Sequence, residues 1–522
     1  MSGPNGKRKN VLHVISDQHN ASCMGVEGHP HALTPHMDRL ARSGVRFTRA
    51  YTQNPICTPS RVSIFSGQYC HNHGHYGLSG PTPPNLPGFL GHFRDHGYRT
   101  AGIGKLHVPD DPESWLDHQC DLVADCYYTG RGEEGRSPYY ACLEHLGLRD
   151  REDSIGIPEM PGLQQHEARP SNLPFEHSVE GWSVSEAVRF MDECGDRPFC
   201  MQVSLPRPHQ CYTPDRRFWN LYPDDLPLPD TLHQDPTGRP PHFENTVRWY
   251  RTFTEEKQWF FEPRTFEAGT RRVWRGYLAC ITQVDHALGL LLDHLDRTGR
   301  ADRTIVIYNS DHGAYSTTFG VPEKAPGICS EAVCRVPMIW RVPGYTRQGH
   351  TCAQLVENVD LASTLPQLCG LPPMKTTDGC DIAPLLRGDD EPVREVAVTE
   401  NVWSKALRSA RWRFVHYQPE TFDGFRAADG TVLGPEGDIG ELYNLAVDPL
   451  ETHNLYHDPA HQDVVHRCRR MLLEWLIRTT RIVSLWPAPQ TSPIRYPTAG
   501  DGRESNAAGA KLRQSRGEIW YL

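Results

Sequence analysis

The chain alternates between runs typical of buried strands and runs typical of amphipathic helices, and this alternation limits the folds available to it. Residues 10–18, NVLHVISDQ, are apolar and rich in β-branched residues before they end in polar ones. A buried strand of a parallel sheet has this pattern at its carboxyl end. Further strand patterns occupy residues 45–52, 98–107, 197–209 and 304–313, and helical patterns occupy residues 34–44, 59–69, 86–97, 180–194 and 273–299. This succession of strand and helix patterns along the chain predicts an α/β fold with a large, mostly parallel sheet sandwiched by helices.

The pattern changes near residue 393. Short alternating strand patterns and then a helical pattern occupy residues 395–403, 405–418, 441–449 and 463–481. We therefore expect an N-terminal α/β domain over residues 1–392 and a smaller C-terminal α+β domain over residues 393–486.

The last residues, 487–522, are rich in Pro, Gly, Ser and Ala and end in GEIWYL. We interpret them as a C-terminal tail. Because the Trp and Tyr side chains of a free tail would be exposed apolar groups, we hypothesise an inter-subunit arm and expect a homo-oligomer.

Charge and composition argue against some classes of partner. The net charge is −10, from 64 acidic and 54 basic residues without a long block of one sign, which argues against nucleic acid or an anionic membrane as the main partner. No run approaches the roughly 20 apolar residues of a membrane span. His13 and Asp17 interrupt the short apolar run near the N-terminus, so it is a poor signal peptide and we expect a cytoplasmic protein.

The 16 cysteines lack C-x-x-C spacing, which predicts free, buried thiols.

Polar residues gather at the ends of the predicted strands. In a parallel sheet these carboxyl ends lie at one edge, where ligands bind. Two carboxylates, an amide oxygen and an imidazole would meet there and suit a divalent cation such as Ca²⁺, Mn²⁺ or Mg²⁺; they belong to Asp17, Gln18, Asp311 and His312. Several cationic or hydrogen-bonding groups would surround them, from Arg61, Lys105, His107, His209 and Lys324. So much positive charge beside a cation predicts an anionic ligand, for which a tetrahedral oxyanion ester is the natural candidate.

Six motifs occur in an order that resembles the sulfatase family of the alkaline phosphatase superfamily. CTPSR at residues 57–61 is similar to the family's C-x-P-S-R signature. The others are NVLHVISDQ, GKLH, SLPRPH, YNSDHG and ELYNLAVDPLETHNL, with Lys324 near the place where the family keeps a lysine. The resemblance covers nearly the whole chain. It implies an alkaline-phosphatase-like fold and an arylsulfatase-like hydrolysis of sulfate monoesters by the domain over residues 1–392.

In this family a dedicated formylglycine-generating enzyme oxidises the signature cysteine to an aldehyde, so the resemblance implies that Cys57 becomes formylglycine. One hydroxyl of the hydrated aldehyde attacks sulfur and becomes sulfated. The second hydroxyl then loses its proton, and the hemiacetal collapses and releases sulfate. A serine ester has no such route.

The resemblance also implies a role for each matching residue. One divalent cation would be held by Asp17, Gln18, Cys57, Asp311 and His312. Arg61 would hold the aldehyde hydrate in place. Sulfate oxygens would contact Lys105, His209 and Lys324, and either His209 or Lys324 could protonate the leaving alkoxide. His107 is the candidate base for sulfate release. For His73, a place near the nucleophile and a role in packing at a helix end are equally open.

Two residues depart from the common family pattern. Gln18 stands where many sulfatases have a second Asp, and His312 stands where many have Asn. This Asp-Gln and Asp-His combination is closer to the choline-sulfatase and phosphonate monoester hydrolase branches. The site is therefore less anionic, and both Ca²⁺ and Mn²⁺ stay open as its cation.

Two alternatives follow from these motifs. The first is a phosphonate monoester or phosphodiester hydrolase of the same superfamily; GKLH, with Lys105 and His107, favours the sulfatase. The second is a silent anion-binding protein in which Cys57 stays a thiol.

The substrate alcohol (aryl, choline-like or sugar) is open. We expect one aromatic segment to line its entrance, with an ordinary surface insertion as the alternative: residues 110–180, with Trp115, Tyr127, Tyr128, Tyr139 and Tyr140. The second candidate for the entrance is residues 234–270, with Arg248, Trp249, Tyr250, Trp259 and Phe260.

Overall fold

A computed structural model of the protein describes residues 8–78, 83, 86–108, 115–126, 137–152, 168–256, 265–324, 328–418 and 438–481, without the side chains of residues 249 and 252–256. The strands are β1 (Asn10–Asp17), β2 (Val45–Tyr51), β3 (Arg99–Gly104), β4 (Leu122–Asp125), β5 (Phe199–Pro208), β6 (Thr304–Ser310), β7 (Arg335–Arg341), β8 (His350–Cys352), β9 (Val356–Glu357), β10 (Ala397–Glu400), β11 (Ser404–Arg408), β12 (Trp412–Tyr417) and β13 (Gly440–Asn444). The helices are α1 (Pro35–Ser43), α2 (Cys57–Ser66), α3 (Cys70–His73), α4 (Phe89–Asp95), α5 (Pro138–His145), α6 (Val179–Cys194), α7 (Arg216–Trp219), α8 (Pro241–Glu256), α9 (Phe266–Arg297), α10 (Glu331–Cys334), α11 (Asp360–Leu368), α12 (Ala383–Arg387) and α13 (Gln462–Thr479).

The large sheet has nine strands in the order β4-β3-β5-β1-β6-β7-β2-β8, with β9 also paired to β2. β7 pairs antiparallel with β6 and β2, and the other described pairings in this sheet are parallel. The predicted mostly parallel α/β architecture is therefore confirmed. β1 lies between β5 and β6, which buries all eight of its residues.

Helices cover both faces of this sheet, as parallel sheets require. On one face, Leu12 and Val14 of β1 join a core with α1, α6 and α9. On the other face, Val11 joins a core with α2, α4 and α11. The alternation of neighbouring β1 residues between two cores explains why the strand is a continuous apolar run.

A second sheet has four antiparallel strands in the order β10-β11-β12-β13. Helix α13 packs on it through Val465, Cys468 and Trp475. This confirms the smaller C-terminal α+β region. Residues Met1–Thr480 form one compact unit that carries both sheets. The domain boundary near residue 393 stays a prediction; it lies between α12 and β10.

The cysteines and the helices bear on two further expectations from the sequence. All 16 cysteines are free; Cys142 and Cys380 are half-buried and the others are buried, as the sequence predicted. Among the described residues, no helix combines the length and the apolar character needed to cross a bilayer. The predicted tail, residues 487–522, lies outside the described residues.

Candidate active site

The four central strands bring the predicted site residues to one edge of the large sheet. β3, β5, β1 and β6 are neighbours and run parallel, so their carboxyl ends coincide. Asp17 ends β1, and the other residues follow their strands directly: Lys105 after β3, His209 after β5 and Asp311 after β6. Parallel pairing thus places residues nearly 300 positions apart side by side.

Four buried side chains form a candidate metal centre at this edge. The ligand atoms of Asp17, Cys57, Asp311 and His312 all lie within 4.8 Å of one another. Asp17 Oδ1 is buried without a hydrogen-bond partner among the described residues. The Nδ1 of His312 lies 2.8 Å from the Gly313 carbonyl, and its Nε2 faces Asp17 Oδ1 at 3.7 Å and Asp311 Oδ1 at 3.9 Å. An Nδ1–H donated to that carbonyl leaves the Nε2 lone pair directed at the carboxylates, and this donor set fits a divalent cation.

Gln18 borders this centre in an unusual backbone conformation. Its φ is 68°, in the left-handed region. Its N–H donates to Asp311 Oδ1 at 3.1 Å, and its carbonyl accepts from the Tyr277 hydroxyl at 2.8 Å. The side-chain Nε2 donates to Gln210 Oε1 at 3.0 Å, and the side-chain Oε1 lies 3.4 Å from the Lys324 ammonium. Backbone strain of this kind persists where several contacts fix it.

Arg61 joins the two carboxylates of the centre. Its Nε donates to Asp311 Oδ2 at 2.9 Å and its Nη2 donates to Asp17 Oδ2 at 3.1 Å. Its Nη1 donates to Ser204 Oγ at 2.7 Å and to the Lys105 carbonyl at 2.5 Å. The side chain is fully buried. A rigid fork of donors suits this task, because it fixes both carboxylates at once.

Cys57 is the first residue of α2, and the helix is anchored to the sheet beside it. Ser60 Oγ donates to the Asp311 carbonyl at 2.6 Å and also contacts Thr52 Oγ1 at 2.9 Å. Gly67 ends α2 with a φ of 70°. These contacts direct the amino end of α2, and Cys57 with it, at the metal ligands.

Positive charge surrounds Cys57. The Lys105 ammonium lies 2.6 Å from Asp17 Oδ2, and the Lys324 ammonium lies 3.3 Å from His209 Nε2. His107 interacts with the Cys57 sulfur. The structure therefore brings all the cationic and imidazole groups that the sequence predicted to one point.

These surroundings shift the pKa values of the site. Burial alone raises the pKa of Cys57, but Lys324, Lys105 and the His107 hydrogen bond outweigh it and hold the pKa well below its usual value. Burial, with Lys105 and Lys324, lowers the pKa of His209 to about 3. The pKa of Lys324 is raised despite burial, because of Cys57 and neighbouring carboxylates. At neutral pH His209 is neutral and Lys324 is charged.

His73 uses both ring nitrogens locally. Its Nε2 contacts Ser63 Oγ at 2.9 Å, and its Nδ1 accepts from the His75 N–H at 3.1 Å. The ring is fully buried. Of the two roles left open for His73, these contacts favour packing at the helix end.

Three residues of the site were not found from the sequence. Ser204 contacts Arg61 from β5, Gln210 contacts Gln18, and Glu323 contacts Gln210. Gln210 directly follows His209 and Glu323 directly precedes Lys324 in the chain. That proximity to predicted site residues was the only signal in the sequence.

The expected substrate entrance is described only in part. Trp115, Tyr139 and Tyr140 are buried in the hydrophobic cores. Tyr250 is buried and donates to Glu323, while Arg248 is exposed. The remaining aromatic side chains lie outside the described residues; they are Tyr127, Tyr128, Trp249, Trp259 and Phe260.

With this geometry in place, the chain can be compared with known proteins. A sequence profile described as Sulfatase matches residues 9–141 and 145–371. This chain belongs to the sulfatase family. The sulfatase is 27% identical over 474 residues to a choline-sulfatase of Rhizobium meliloti (strain 1021), covering 87% of this chain and 83% of that protein. Family membership makes it a sulfuric ester hydrolase.

Two other proteins are similar to this chain over most of their length. A multifunctional alkaline phosphatase superfamily protein of Trinickia caryophylli is 25% identical over 513 residues, covering 90% of this chain and 95% of that protein. The solved phosphonate monoester hydrolase of Silicibacter pomeroyi has a TM-score of 0.73 at 23% identity, covering 91% of this chain and 96% of that chain. The second likeness shows that this sulfatase has the alkaline-phosphatase-like fold.

Proposed function

We propose that this sulfatase hydrolyses small sulfate monoesters through a formylglycine made from Cys57, with one divalent cation, Ca²⁺ or Mn²⁺. The observation that carries the proposal is the buried cluster of Asp17, Cys57, Asp311 and His312 beside two lysines. A site with that many cationic donors suits an anionic ester, and Cys57, at the first turn of α2, lies beside the metal ligands.

The cation would be held by Asp17, Gln18, Asp311, His312 and the modified Cys57. When bound, a divalent cation acts as a Lewis acid that lowers the pKa of a coordinated hydroxyl. Arg61 keeps both carboxylates in register, since its contacts to Asp17 and Asp311 fix them at 3.1 and 2.9 Å. The carboxylates that Arg61 holds would border the nucleophilic hydroxyl of residue 57.

Sulfate oxygens would contact Lys105, His209 and Lys324. Lys324 and His209 were both candidates for the acid that protonates the leaving alkoxide. The charged Lys324 holds a proton in the free protein and the neutral His209 accepts a hydrogen bond from it. We therefore assign proton donation to Lys324 and orientation of its ammonium to His209.

His107 would release the sulfate. It lies within hydrogen-bonding reach of the residue 57 side chain, and its φ of 44° places it in the left-handed region. A base at this place can take the proton of the second aldehyde hydroxyl. The hemiacetal then collapses without attack of water at sulfur.

A phosphonate monoester or phosphodiester hydrolase is the second candidate function. The relative from Trinickia caryophylli is named as multifunctional, and it belongs to the same superfamily. A singly charged phosphonate monoester resembles a sulfate monoester in charge and shape. The test is to measure kcat/KM on an aryl sulfate and on the matching aryl phosphonate monoester. We expect the sulfate to be preferred, and a clear preference for the phosphonate would overturn the first proposal.

The proposed modification makes a formylglycine-generating enzyme the maturation partner. Mass spectrometry of the peptide containing Cys57 tests this, because formylglycine weighs about 18 Da less than cysteine. Protein made with the maturing enzyme should show the loss. If the peptide remains entirely a thiol in such protein, the silent anion-binding alternative is favoured.

A further inference from the structure

A series of hydrogen bonds passes through the side chain of Gln18. The Lys324 ammonium donates to Gln18 Oε1 at 3.4 Å, and Gln18 Nε2 donates to Gln210 Oε1 at 3.0 Å. Gln210 Nε2 in turn donates to Glu323 Oε2 at 2.7 Å. Glu323 directly precedes Lys324, so this amide chain of Lys324, Gln18, Gln210 and Glu323 returns to its starting point.

The two charged ends of the amide chain determine which atom of each amide donates a hydrogen bond and which atom accepts one. An ionised carboxylate only accepts hydrogen bonds and an ammonium only donates them. Glu323 therefore requires the Nε2 of Gln210 to face it, which turns Gln210 Oε1 toward Gln18. The same logic requires Gln18 to present Nε2 to Gln210 and Oε1 to Lys324. Both ends demand the same orientation, so it does not depend on how an amide is assigned.

Glu323 is itself held in place. The Tyr250 hydroxyl donates to its Oε1 while Gln210 donates to its Oε2. With both oxygens engaged, the carboxylate cannot turn away from Gln210 without losing a hydrogen bond. Tyr250 is buried, which keeps this end of the amide chain from competing water.

Orientation matters for Gln18 because only its oxygen can bind a hard cation. A carboxylate at this position would offer an oxygen in either orientation, whereas a rotated carboxamide would present its NH₂ group. We propose that Gln210 and Glu323 are positioning residues that fix the Gln18 carboxamide with Oε1 available to the cation. This inference rests on the proposed metal centre and deepens it.

The test uses variants that exchange the hydrogen-bond donors and acceptors along the amide chain. In Glu323→Gln, the new amide can donate to Gln210 as well as accept from it, so only the Lys324 end still favours the orientation of Gln18 and Gln210. In the double variant Gln18→Glu with Glu323→Gln, residue 18 is a carboxylate that accepts from Gln210 Nε2, and Gln210 Oε1 accepts from the new amide. The double variant keeps the total charge. Its hydrogen bonds are complete again, in the opposite direction.

Binding of Mn²⁺ to metal-free protein, measured by calorimetry and by electron paramagnetic resonance, is the readout. We expect Glu323→Gln alone to raise the Kd about 10-fold, the usual cost of losing an outer partner of a metal ligand. In the Gln18→Glu background, the same change should leave the Kd unchanged or lower it. This dependence on the background separates orientation from a general effect on Lys324, which would raise the Kd in both backgrounds.

The outcomes are distinct. If the unaltered protein binds no Mn²⁺ or Ca²⁺, the proposed metal centre fails. If it binds the metal and Glu323→Gln changes the Kd equally in both backgrounds or in neither, the positioning role fails. Glu441→Gln is the matched control, a buried carboxylate in the smaller sheet that accepts from Tyr417 and Tyr443.

A second variant covers the case in which Glu323→Gln does not fold. Gln210→Leu interrupts the amide chain at its middle and removes both the acceptor and the donor. We expect a similar 10-fold weakening with Gln18 present, and no weakening when residue 18 is Glu. Equal weakening in both backgrounds would overturn the inference.

Discussion

Lys324 and His209 lie 3.3 Å apart, yet their surroundings give them different protonation states. Burial and two nearby lysines keep His209 neutral, whereas Cys57 and carboxylates keep Lys324 charged. The charge of Lys324 is therefore available both for binding an anionic ester and for protonating an alkoxide. The two side chains differ in protonation because their neighbours differ.

Lys324→Met tests this assignment. We expect kcat to fall about 10²- to 10⁴-fold for sulfate esters of poor leaving groups, since these require a proton from the enzyme. Esters of acidic phenols should lose much less. The measurement is the dependence of kcat on leaving-group pKa. Exposed Lys375→Met is the control, and an equal loss for every ester would mean that Lys324 only binds sulfate.

Cys57→Ala removes the proposed nucleophile. We expect turnover of an aryl sulfate to fall by about 10⁵-fold or more, as for loss of the nucleophile in other covalent hydrolases. Circular dichroism should match that of the unaltered protein, because an alanine fits the space of the thiol. Retention of substantial turnover by folded protein would contradict a covalent mechanism at residue 57.

At the scale of elements, helix α2 shows how the fold positions the chemistry. Its first residue is Cys57 and its last turn ends at Gly67, whose φ of 70° favours glycine. A Cβ at Gly67 would lie 2.7 Å from Thr377 Cγ2 and 2.8 Å from Ala362 Cβ. The end of α2 is thus packed against α11 and the segment that follows it.

Gly67→Ala is expected to be more destabilising than Gly74→Ala. Both glycines have a φ near 70°, so each substitution costs about 1–2 kcal/mol in backbone strain. Gly67→Ala adds overpacking of about 1–3 kcal/mol, whereas a Cβ at Gly74 meets nothing within 4 Å. Urea unfolding of both variants measures the difference. Equal losses would show that the α2 end can relax.

At the scale of the whole molecule, buried histidines make stability depend on pH. Burial lowers the pKa of His13, His19 and His242 to about 4 and that of His73 to about 3. Between about pH 6.5 and 4 the unfolded chain binds protons that the folded chain does not, so stability falls as pH falls. Asp285 and Glu451, with pKa values raised to about 7, act in the opposite direction.

We expect the free energy of unfolding to be lower at pH 5 than at pH 7.5, by urea titration. His73→Asn should reduce the slope by about 1.4 kcal/mol per pH unit, the contribution of one proton. Exposed His145→Asn should leave the slope unchanged. A slope that His73→Asn does not alter would mean that His73 titrates normally in the folded protein.

Deletion of residues 487–522 tests the proposed inter-subunit arm. We expect the truncated chain to have a lower oligomeric state than the full chain, because the arm would carry the apolar GEIWYL end to a neighbouring subunit. Light scattering measures the mass of both. An unchanged number of subunits would show that the tail has no part in assembly.

The sequence by itself determined the α/β class and the succession of its main strands and helices along the chain, and it predicted most of the side chains that the structure brings together at the sheet edge. Apolar runs that end in Asp17, Lys105, His209 and Asp311 carry this information locally, because the carboxyl ends of parallel strands share an edge. The resemblance to the sulfatase family added Cys57, in CTPSR, and Lys324 to the predicted site residues.

Only the tertiary structure decided the order of the strands within the sheet, the antiparallel direction of β7 and the partners of Gln18. β7 is an apolar run whose direction depends on the path of the chain, and sequence periodicity does not record direction. Gln210 and Glu323 are unremarkable in the sequence, because a hydrogen bond between residues 113 positions apart leaves no local pattern. The protonation states of His209 and Lys324 also depend on burial and charge that exist only in the folded chain.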